Sequence, residues 1–377
     1  MKDVMGLIYT SRNDLRLREL TMSRAVAALP VVSRYRVIDF VLSSLVNSGA
    51  RNVGVIMQKN YHSLMDHLGS GKEWDLHTRN DGLHILPPYL TRDNVGTYGG
   101  MLDALRSNLR YLRRAKQEYL ILTNSETVYN MNFDDALRYH IDSHADMTLI
   151  YTKANNIRLD KEITERHVYL DIDSQGMVKD FEAGPVEPSY DNYYMDVMII
   201  RRELLAHMVD QAVSHGEHDF GKDMIQSHVR SGNMRIMGYE YKGYACRIES
   251  VLSLFRFNMD MLDIKTRHEM FNAANPIYTK VRDEVPAKYM HNSSSVNSLV
   301  ADGCVIEGHI ENSILFRGVR IGPGATVKNS IIMQDTEIQQ NAEVENVILD
   351  KQVTIKRDGR LIGQPSYPIV IAKGTTL

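Results

Sequence analysis

The stretch LFRGVRIGPGATV, residues 315–327, places aliphatic side chains six residues apart at Leu315, Ile321 and Val327. The same period continues on both sides, with slips of one residue between the sets Leu299 and Val305; Ile332, Ile338 and Val344; and Leu349 and Ile355. A period of six, punctuated by glycine and asparagine, is the hexapeptide signature of a parallel β-helix. The sequence therefore predicts a left-handed parallel β-helix with about four or five coils of ~18 residues. A β-sandwich is the alternative, but its strands favour a period of two.

The preceding part of the chain alternates short apolar runs with helical patterns. Val4–Tyr9 and Tyr119–Thr123 read as buried strands, and 37–47 carries apolar residues at helical spacing. Further strands are predicted at 52–57 and 147–152, and further helices at 61–68, 100–114 and 134–143. Strand–helix alternation indicates an α/β domain with a mostly parallel sheet, of the dinucleotide-binding type. We predict this domain over residues 1–261, a linker over 262–294 and the β-helix over 295–377.

Composition excludes several classes of protein. The 377 residues carry 44 Lys and Arg against 47 Asp and Glu, a net charge of −3, so binding to nucleic acid or to an anionic membrane is not expected. No apolar run approaches the ~20 residues of a membrane span, and the N-terminal one is too short for a signal peptide. Two cysteines exclude a disulfide framework and predict a cytoplasmic protein.

Two segments that follow predicted strands are the first places to look for a ligand site. Parallel sheets bind ligands at the carboxyl ends of their strands. Residues 10–14 follow Val4–Tyr9, and residues 124–127 follow Tyr119–Thr123. Histidines and cysteines show no zinc spacing, so no metal is predicted from them.

Seven stretches carry a family resemblance: LTMSRA (20–25), YRVIDF (35–40), VNSGAR (46–51), HSL (62–64), GMLDA (100–104), VYNMNF (128–133) and DFGKD (219–223). With these and the β-helix, the chain resembles the ADP-glucose pyrophosphorylase (glucose-1-phosphate adenylyltransferase) family along nearly its whole length. Within that family it is similar to the GlgD-type subunits of glycogen synthesis. The resemblance implies a nucleotidyltransferase domain and assembly into tetramers.

The family's reaction sets the residues to look for. A glucose-1-phosphate oxygen attacks the α-phosphorus of ATP, which concentrates negative charge and requires Mg²⁺, cations and backbone amides placed in advance. The resemblance implies a glycine-rich loop after the first strand, an Arg and a Lys on the triphosphate, two Asp for Mg²⁺ and a Lys on the sugar phosphate.

Most of the residues expected to contact the triphosphate are absent. Residues 11–15, Ser-Arg-Asn-Asp-Leu, replace the glycine-rich loop, although only glycine lets a backbone approach phosphate without steric cost. Arg16 matches the family's loop arginine, whereas the expected lysine is Val26.

The metal and sugar positions differ as well. Glu126 stands at the first metal Asp, Arg247 at the second, and Gly184 at the sugar-phosphate Lys. Two possibilities stay open for Arg247, a salt bridge to Glu126 that plugs the metal site or a side chain extended into solvent. We therefore predict no catalytic residues and no bound metal, and a vestigial substrate pocket with Arg16, Gly100, Asp103, Glu126 and Arg247. For Gly100 and Asp103, helix capping is the alternative role.

A regulatory anion site is implied by Arg24, Arg34 and Arg36. In the family, basic residues near these positions bind an allosteric anion such as a phosphorylated sugar, and arginine suits bidentate phosphate capture. Structural ion pairs are the alternative.

Three functions follow. The first is a weakly active or inactive regulatory subunit that joins a homologous catalytic subunit in a hetero-tetramer and activates it, the partner using ATP and Mg²⁺. The second is a stand-alone adenylyltransferase, and the third is a metabolite-sensing homo-oligomer. The retained arginines and the missing loop and metal residues favour the first.

Overall fold

The structure, a computed structural model, describes residues 3–10, 15–78, 81–88, 98–160, 162–214, 217 and 219–377. The chain forms two compact units. Unit 1 contains residues 1–12, 40–247 and 273–278, and unit 2 contains residues 13–39, 248–272 and 279–377.

Unit 1 is built on a mostly parallel sheet of nine strands. Seven of them follow one another in the order Ile236–Glu240, Met147–Lys153, Asn192–Arg201, Tyr119–Asn124, Val4–Tyr9, Asn52–Ile56 and Gly82–Leu86. Only Asn192–Arg201 runs antiparallel to both of its neighbours in this row. The remaining two strands, Val168–Ile172 and Val178–Ala183, form an antiparallel hairpin that joins the first half of Asn192–Arg201. The predicted α/β fold of this unit is thus confirmed.

Helices cover the sheet. The α-helices with residues in unit 1 are Val37–Asn47, His62–Leu68, Met101–Ser107, Leu109–Arg114, Asp134–Asp142, Arg202–Ser214 and Ser227–Ser231, with 3₁₀ and π turns at Lys72–Trp74 and Phe220–Gln226. The helix predicted over 100–114 is divided at Asn108, whose side-chain amide donates to the Ala104 carbonyl oxygen.

The central strand Val4–Tyr9 is buried at all six positions, as expected for a strand of a covered parallel sheet. Tyr9, its last residue, pairs with Ile56 of the strand on one side and with Asn124 of the strand on the other. The carboxyl ends of these three strands therefore meet at one edge. A separate small sheet pairs Thr127–Tyr129 with Ala245–Arg247, which in turn pairs with Ile157–Arg158.

Unit 2 contains the β-helix, in which three parallel sheets of five strands stack coil upon coil. The three sheets are Lys288–Tyr289, Val305–Ile306, Arg320–Ile321, Glu337–Ile338 and Thr354–Ile355; Ser294–Val296, His309–Glu311, Thr326–Lys328, Glu343–Glu345 and Arg360–Ile362; and Leu299–Val300, Ile314–Leu315, Ile331–Ile332, Val347–Leu349 and Ile369–Ile371. Eight of the ten aliphatic residues predicted from the hexapeptide period fill the interior. The prediction is wrong for Leu299 and Val305, because the residues that align with Leu315 and Ile321 are the next ones in the chain, Val300 and Ile306.

The coils are shorter than the ~18 residues expected for three hexapeptides. Ile306, Ile321, Ile338 and Ile355 align in successive coils, so the residue number rises by 15, then 17 and 17. One corner is short in each coil, because Asn312 and Asn329 adopt left-handed backbone conformations there and the chain turns in two residues. The 15-residue coil has a second short corner, where residues 307–308 join strands that residues 322–325 join in the next coil. These short corners also explain the slips of one residue in the sequence period.

The rest of unit 2 consists of short elements. They are the 3₁₀ turns Leu15–Thr21 and Val26–Ala28, the two-stranded ribbon Pro30–Val31 and Tyr35–Arg36, and the helices Val251–Asp260 and Ile264–Met270. Helix Val251–Asp260 begins with a capping box. The Ser250 side chain accepts a hydrogen bond from the backbone N–H of Ser253, and the Ser253 side chain accepts one from the backbone N–H of Ser250. None of the helices in the described ranges has the length and apolar character that a bilayer-spanning helix requires.

Candidate functional site

The turn after the strand Tyr119–Asn124 is organised by the side chain of Asn124. Its Oδ1 accepts hydrogen bonds from the backbone N–H groups of Glu126 and Thr127, at 3.2 and 3.1 Å. An asparagine that accepts from the residues following it is a local substitute for a backbone turn. This turn places Glu126 at the carboxyl edge of the sheet, where its side chain is 1 % exposed.

Arg247 faces Glu126 because of strand register. Arg247 pairs with Thr127 in the small antiparallel sheet, and its Nη2 lies 3.6 Å from Glu126 Oε2. The salt bridge hypothesised from the sequence is confirmed, and a solvent-extended Arg247 is excluded, since its side chain is 5 % exposed.

A second carboxylate, Asp196, holds the same guanidinium. Arg247 Nη1 lies 2.5 Å from Asp196 Oδ2 and donates to the Tyr193 hydroxyl at 3.0 Å. Asp196 sits where the register of strand Asn192–Arg201 shifts, with φ of 56°. It also accepts a hydrogen bond from Asn124 Nδ2 at 2.9 Å. Sequence reasoning missed Asp196, although a lone acid inside the apolar run YYMDVMII is a signal for a bulge.

Arg166 is a second cation at this cluster. Its Nη2 lies 3.5 Å from Glu126 Oε2, and its side chain is 31 % exposed. Glu126, Asp196, Arg166 and Arg247, which we call the ion-pair cluster, thus carry two negative and two positive charges. No signal in the sequence pointed to Arg166, because it lies in a loop with no motif around it.

These residues do not fit a divalent cation. Mg²⁺ requires nearly octahedral oxygen ligands at ~2.1 Å, whereas guanidinium groups lie against both carboxylates of the cluster. Within the described residues, no three His, Cys, Asp or Glu side chains are arranged to hold a metal ion. A positive charge that belongs to the chain itself stands where the resemblance implied a metal carboxylate.

A cavity of about 430 Å³ adjoins the cluster, and Asp196 lines it together with Gly99, Gly100 and Asp219. Gly100 is the residue before helix Met101–Ser107, and Asp103 in its first turn accepts from the Gly99 backbone N–H at 2.8 Å. The capping role, the alternative considered for Asp103, is therefore present in the structure.

Gly184 differs from the family lysine in more than its side chain. Its φ is +67°, and a Cβ atom there would lie 2.9 Å from the carbonyl oxygen of Glu165. Both features disfavour any residue with a side chain at this position. The backbone at position 184 is therefore unsuited to the lysine that the resemblance implied.

The remaining positions of the predicted pocket belong to unit 2 or are not among the residues that the structure describes. Residues 11–14 of the altered loop are not among the described residues. Leu15 and Arg16 are exposed, and Val26 is buried at 2 % exposure in a 3₁₀ turn. The structure therefore gathers Glu126, Gly100 and Asp103 in unit 1 and places Arg16 in unit 2.

The three predicted regulatory arginines differ in environment. Arg24 forms an ion pair with Asp350, and the two side chains are 5 % and 1 % exposed. Arg24 Nη1 is buried and has no hydrogen-bond acceptor within the described residues. Arg34 pairs with Asp302 at 3.4 Å at a more exposed position, and Arg36 is 9 % exposed.

Lys351 and Arg282, which sequence reasoning missed, share this region of unit 2. Burial, followed by the charges of Arg36 and Arg24, lowers the pKa of Lys351 to about 8, and Arg282 acts in the same direction. Asp350 opposes this effect. Lys351 and the three arginines whose charges lower its pKa are together called the basic cluster: Arg24, Arg36, Arg282 and Lys351.

Comparison with known proteins places the chain in a family. Residues 14–243 match the family model of nucleotidyl transferases, and residues 285–366 match a GlmU-like C-terminal hexapeptide model. The chain is 37 % identical to the glycogen biosynthesis protein GlgD of Bacillus subtilis (strain 168), over 98 % of this chain and 96 % of that protein. It is 34 % identical to the glucose-1-phosphate adenylyltransferase of Geobacillus stearothermophilus, over 87 % and 84 % of the two chains. A GlgD protein of Geobacillus stearothermophilus is 35 % identical over 86 % and 82 %. The chain therefore belongs to the nucleotidyl transferase family, in the group formed by GlgD proteins and glucose-1-phosphate adenylyltransferases.

Proposed function

We propose that this chain is a GlgD-type subunit of glucose-1-phosphate adenylyltransferase in bacterial glycogen biosynthesis, with little or no activity of its own. Its role is to activate and regulate a homologous catalytic subunit. The observation that carries the proposal is the guanidinium of Arg247, held between the carboxylates of Glu126 and Asp196. A site that must gather Mg²⁺ around a triphosphate cannot keep a fixed guanidinium on its carboxylates.

The magnitudes support this proposal. Removing one electrostatic element from such a site typically lowers the rate by ~10²–10³. Here the second metal Asp is an arginine, the sugar-phosphate lysine is Gly184 and the triphosphate lysine is Val26. The losses are not additive, but together they leave little catalysis. Gly100, Asp103, Glu126 and Arg247 of unit 1 are then remnants of a substrate pocket. A role for Arg16 of unit 2 stays a prediction from the resemblance.

Regulation is assigned to the basic cluster with Arg34. Arg24 Nη1 is a buried donor that finds no acceptor among the residues the structure describes, and Lys351 lies among like charges. A bound phosphate group would supply acceptors to the arginines and favour the charged form of Lys351. The ligand class is a phosphorylated metabolite.

The proposal includes a partner and a setting. The partner is a catalytic homologue in a hetero-tetramer, and that subunit binds ATP and Mg²⁺. The two buried cysteines fit a reducing, cytoplasmic setting. The domain boundaries at 261 and 295 stay a prediction.

The test is an assay of ADP-glucose synthesis by the purified chain, alone and mixed with a catalytic homologue, with subunit composition read by native mass spectrometry. We expect negligible turnover alone, mixed tetramers and a higher rate in the mixture. Mg²⁺-ATP should shift the melting temperature of the isolated chain very little, since a real site stabilises by ~2.7 kcal/mol at 100 times Kd.

Three outcomes would contradict the proposal. Turnover within tenfold of an active homologue would make the chain a stand-alone enzyme. A melting shift that saturates at sub-millimolar ATP and disappears with EDTA would show a working metal site. A homo-oligomer that never mixes with the catalytic homologue would favour the metabolite sensor.

A further inference from the structure

Four asparagines form a column along one corner of the β-helix. Asn297, Asn312, Asn329 and Asn346 follow aligned strands in successive coils, and their φ angles are 42°, 45°, 45° and 52°. Because parallel strands stack ~4.8 Å apart, the column presents carboxamide groups at that spacing. Asparagine tolerates the left-handed backbone, so the turn by itself explains why these residues are suited to the corner.

Hydrogen bonds within the chain do not occupy all the side-chain amide groups of the column. Asn297 Nδ2 donates to Asn312 Oδ1 at 2.8 Å, and Asn346 Nδ2 lies 3.4 Å from the Gly363 carbonyl oxygen. The Asn329 side chain makes no hydrogen bond to any part of the chain that the structure describes. Donors and acceptors in the middle of the column are therefore available to a ligand.

An apolar wall faces the column across a groove of about 750 Å³ within unit 2. The wall is one face of helix Val251–Asp260 and the residues that follow it, with Phe255, Met259, Leu262 and Ile264. Phe255 and Met259 are four residues apart, so they share a side of the helix, and Leu262 lies just after its end. Ile264 is 61 % exposed at the rim. The volume is in the range of small-molecule sites.

The groove has almost no charge. Among the described residues that line it, the single ionisable group is the carboxylate of Asp263, which accepts a hydrogen bond from the Thr266 backbone N–H at 2.8 Å. A phosphorylated or otherwise anionic ligand would find no cation here. The chemistry of the two walls, amides on one side and hydrocarbon on the other, suits a ligand that is neutral, hydroxylated and apolar on one face.

We infer that this groove binds a neutral linear oligosaccharide. The asparagine amides bond to successive hydroxyl pairs, and the C–H faces of the sugar rings pack on Met259 and Ile264. An extended peptide fits less well, because side chains on one face of a strand repeat every ~6.6 Å, whereas the amides repeat every ~4.8 Å. A pyranose unit is close to the amide spacing. The site is distinct from the basic cluster, and the inference stands whether or not the proposed function does.

The experiment is a calorimetric or saturation-transfer NMR titration of the full chain with maltotetraose, a neutral probe. Saturable binding is expected, and N329G should raise Kd about tenfold, because it deletes the amide while glycine keeps the left-handed backbone. I264W should lower Kd, since an aromatic ring stacks on a sugar face. N341G is the matched control, because Asn341 has φ of 57° at a different corner and should leave Kd unchanged.

Three results would overturn the inference. One is the absence of saturable maltotetraose binding at low millimolar concentration by folded protein, with folding checked by the melting temperature. Another is binding that N329G and I264W leave unaltered, which would place the sugar elsewhere. Glucose 6-phosphate and an uncharged tetrapeptide serve as comparison probes, and tighter binding of either one in the groove, lost in N329G, would also refute an oligosaccharide site.

Discussion

Arg247 Nη1 lies 2.5 Å from Asp196 Oδ2, and this contact joins the last residue of one strand to a bulge in another. The two residues are 51 positions apart in the chain, and no recognisable sequence motif contains both of them. The pair shows how the pocket has been altered. The buried guanidinium of Arg247 is tolerated because the carboxylate of Asp196, on a different strand, pairs with it.

R247M should destabilise the protein by about 3 kcal/mol, because it leaves Asp196 without this ion pair and leaves the buried Glu126 carboxylate with Arg166 but no longer with Arg247. Urea unfolding at pH 7 measures the change. The double variant R247M/E126Q should recover part of the loss, since it also removes the charge of the buried carboxylate that R247M leaves with one cation fewer. Equal stability of R247M and the native chain would show that the ion pair is not a structural element.

G184K should fail to create a sugar-phosphate site and should destabilise the chain. Its Cβ would meet the Glu165 carbonyl oxygen at 2.9 Å, and its φ of +67° disfavours any side chain. G232K is the matched control, because Gly232 has φ of +63° with nothing within 4 Å of an added Cβ. The difference between their melting temperatures isolates the steric part of the effect. Equal melting temperatures would mean that the turn at Gly184 shifts freely.

K351M should raise the free energy of unfolding at pH 7 by about 2 kcal/mol, because the pKa of Lys351 falls from 10.5 to about 8 on folding. The unfolded chain binds the proton more tightly, so the native protein gains stability as pH rises from about 8 towards 10.5. The advantage of K351M should therefore shrink over that window. Parallel urea titrations at pH 7 and 9.5 measure it, with K373M as the control at an exposed lysine.

Inorganic phosphate can test whether the charge of Lys351 affects anion binding at the basic cluster. If phosphate binds there, it should stabilise the native chain more at pH 7 than at pH 9.5, as the site loses one positive charge over that interval. K351M should show a smaller phosphate effect at pH 7. An identical response of the two proteins to phosphate would place any anion site elsewhere.

R36A should reduce activation of the catalytic partner, or its response to a sugar phosphate, without dissolving the mixed assembly. An effect on another subunit is a coupling free energy, typically ~1–3 kcal/mol, so a loss of about fivefold or more is expected. For Arg24, the double variant R24A/D350N is preferable, since R24A alone would leave Asp350 charged and buried.

E126A is the comparison for these variants, and it should change partner activity little. Steady-state rates and native mass spectra of each mixture provide the measurement. If E126A abolished activation of the partner while R36A and R24A/D350N still activated it, the altered pocket would act on the partner directly.

Local patterns were sufficient to predict much of the fold. The hexapeptide period placed the β-helix because each aliphatic residue points inward irrespective of what lies far away in the chain. The strands Val4–Tyr9 and Asn52–Ile56 were readable because a covered parallel sheet buries every position. The coil length was overestimated, because left-handed corners shorten a coil without changing the character of the aliphatic residues.

The sequence by itself determined which chemical groups are present: Glu126, Arg247 and Gly184 stand where the family resemblance implied Asp, Asp and Lys. Only the tertiary structure decided what those groups do. The partners of Arg247 depend on strand register and on a bulge, and the pKa of Lys351 depends on arginines more than 300 positions earlier in the chain. Side-chain type is encoded residue by residue, but charge interactions depend on distance and burial, which arise only when remote segments of the chain pack together.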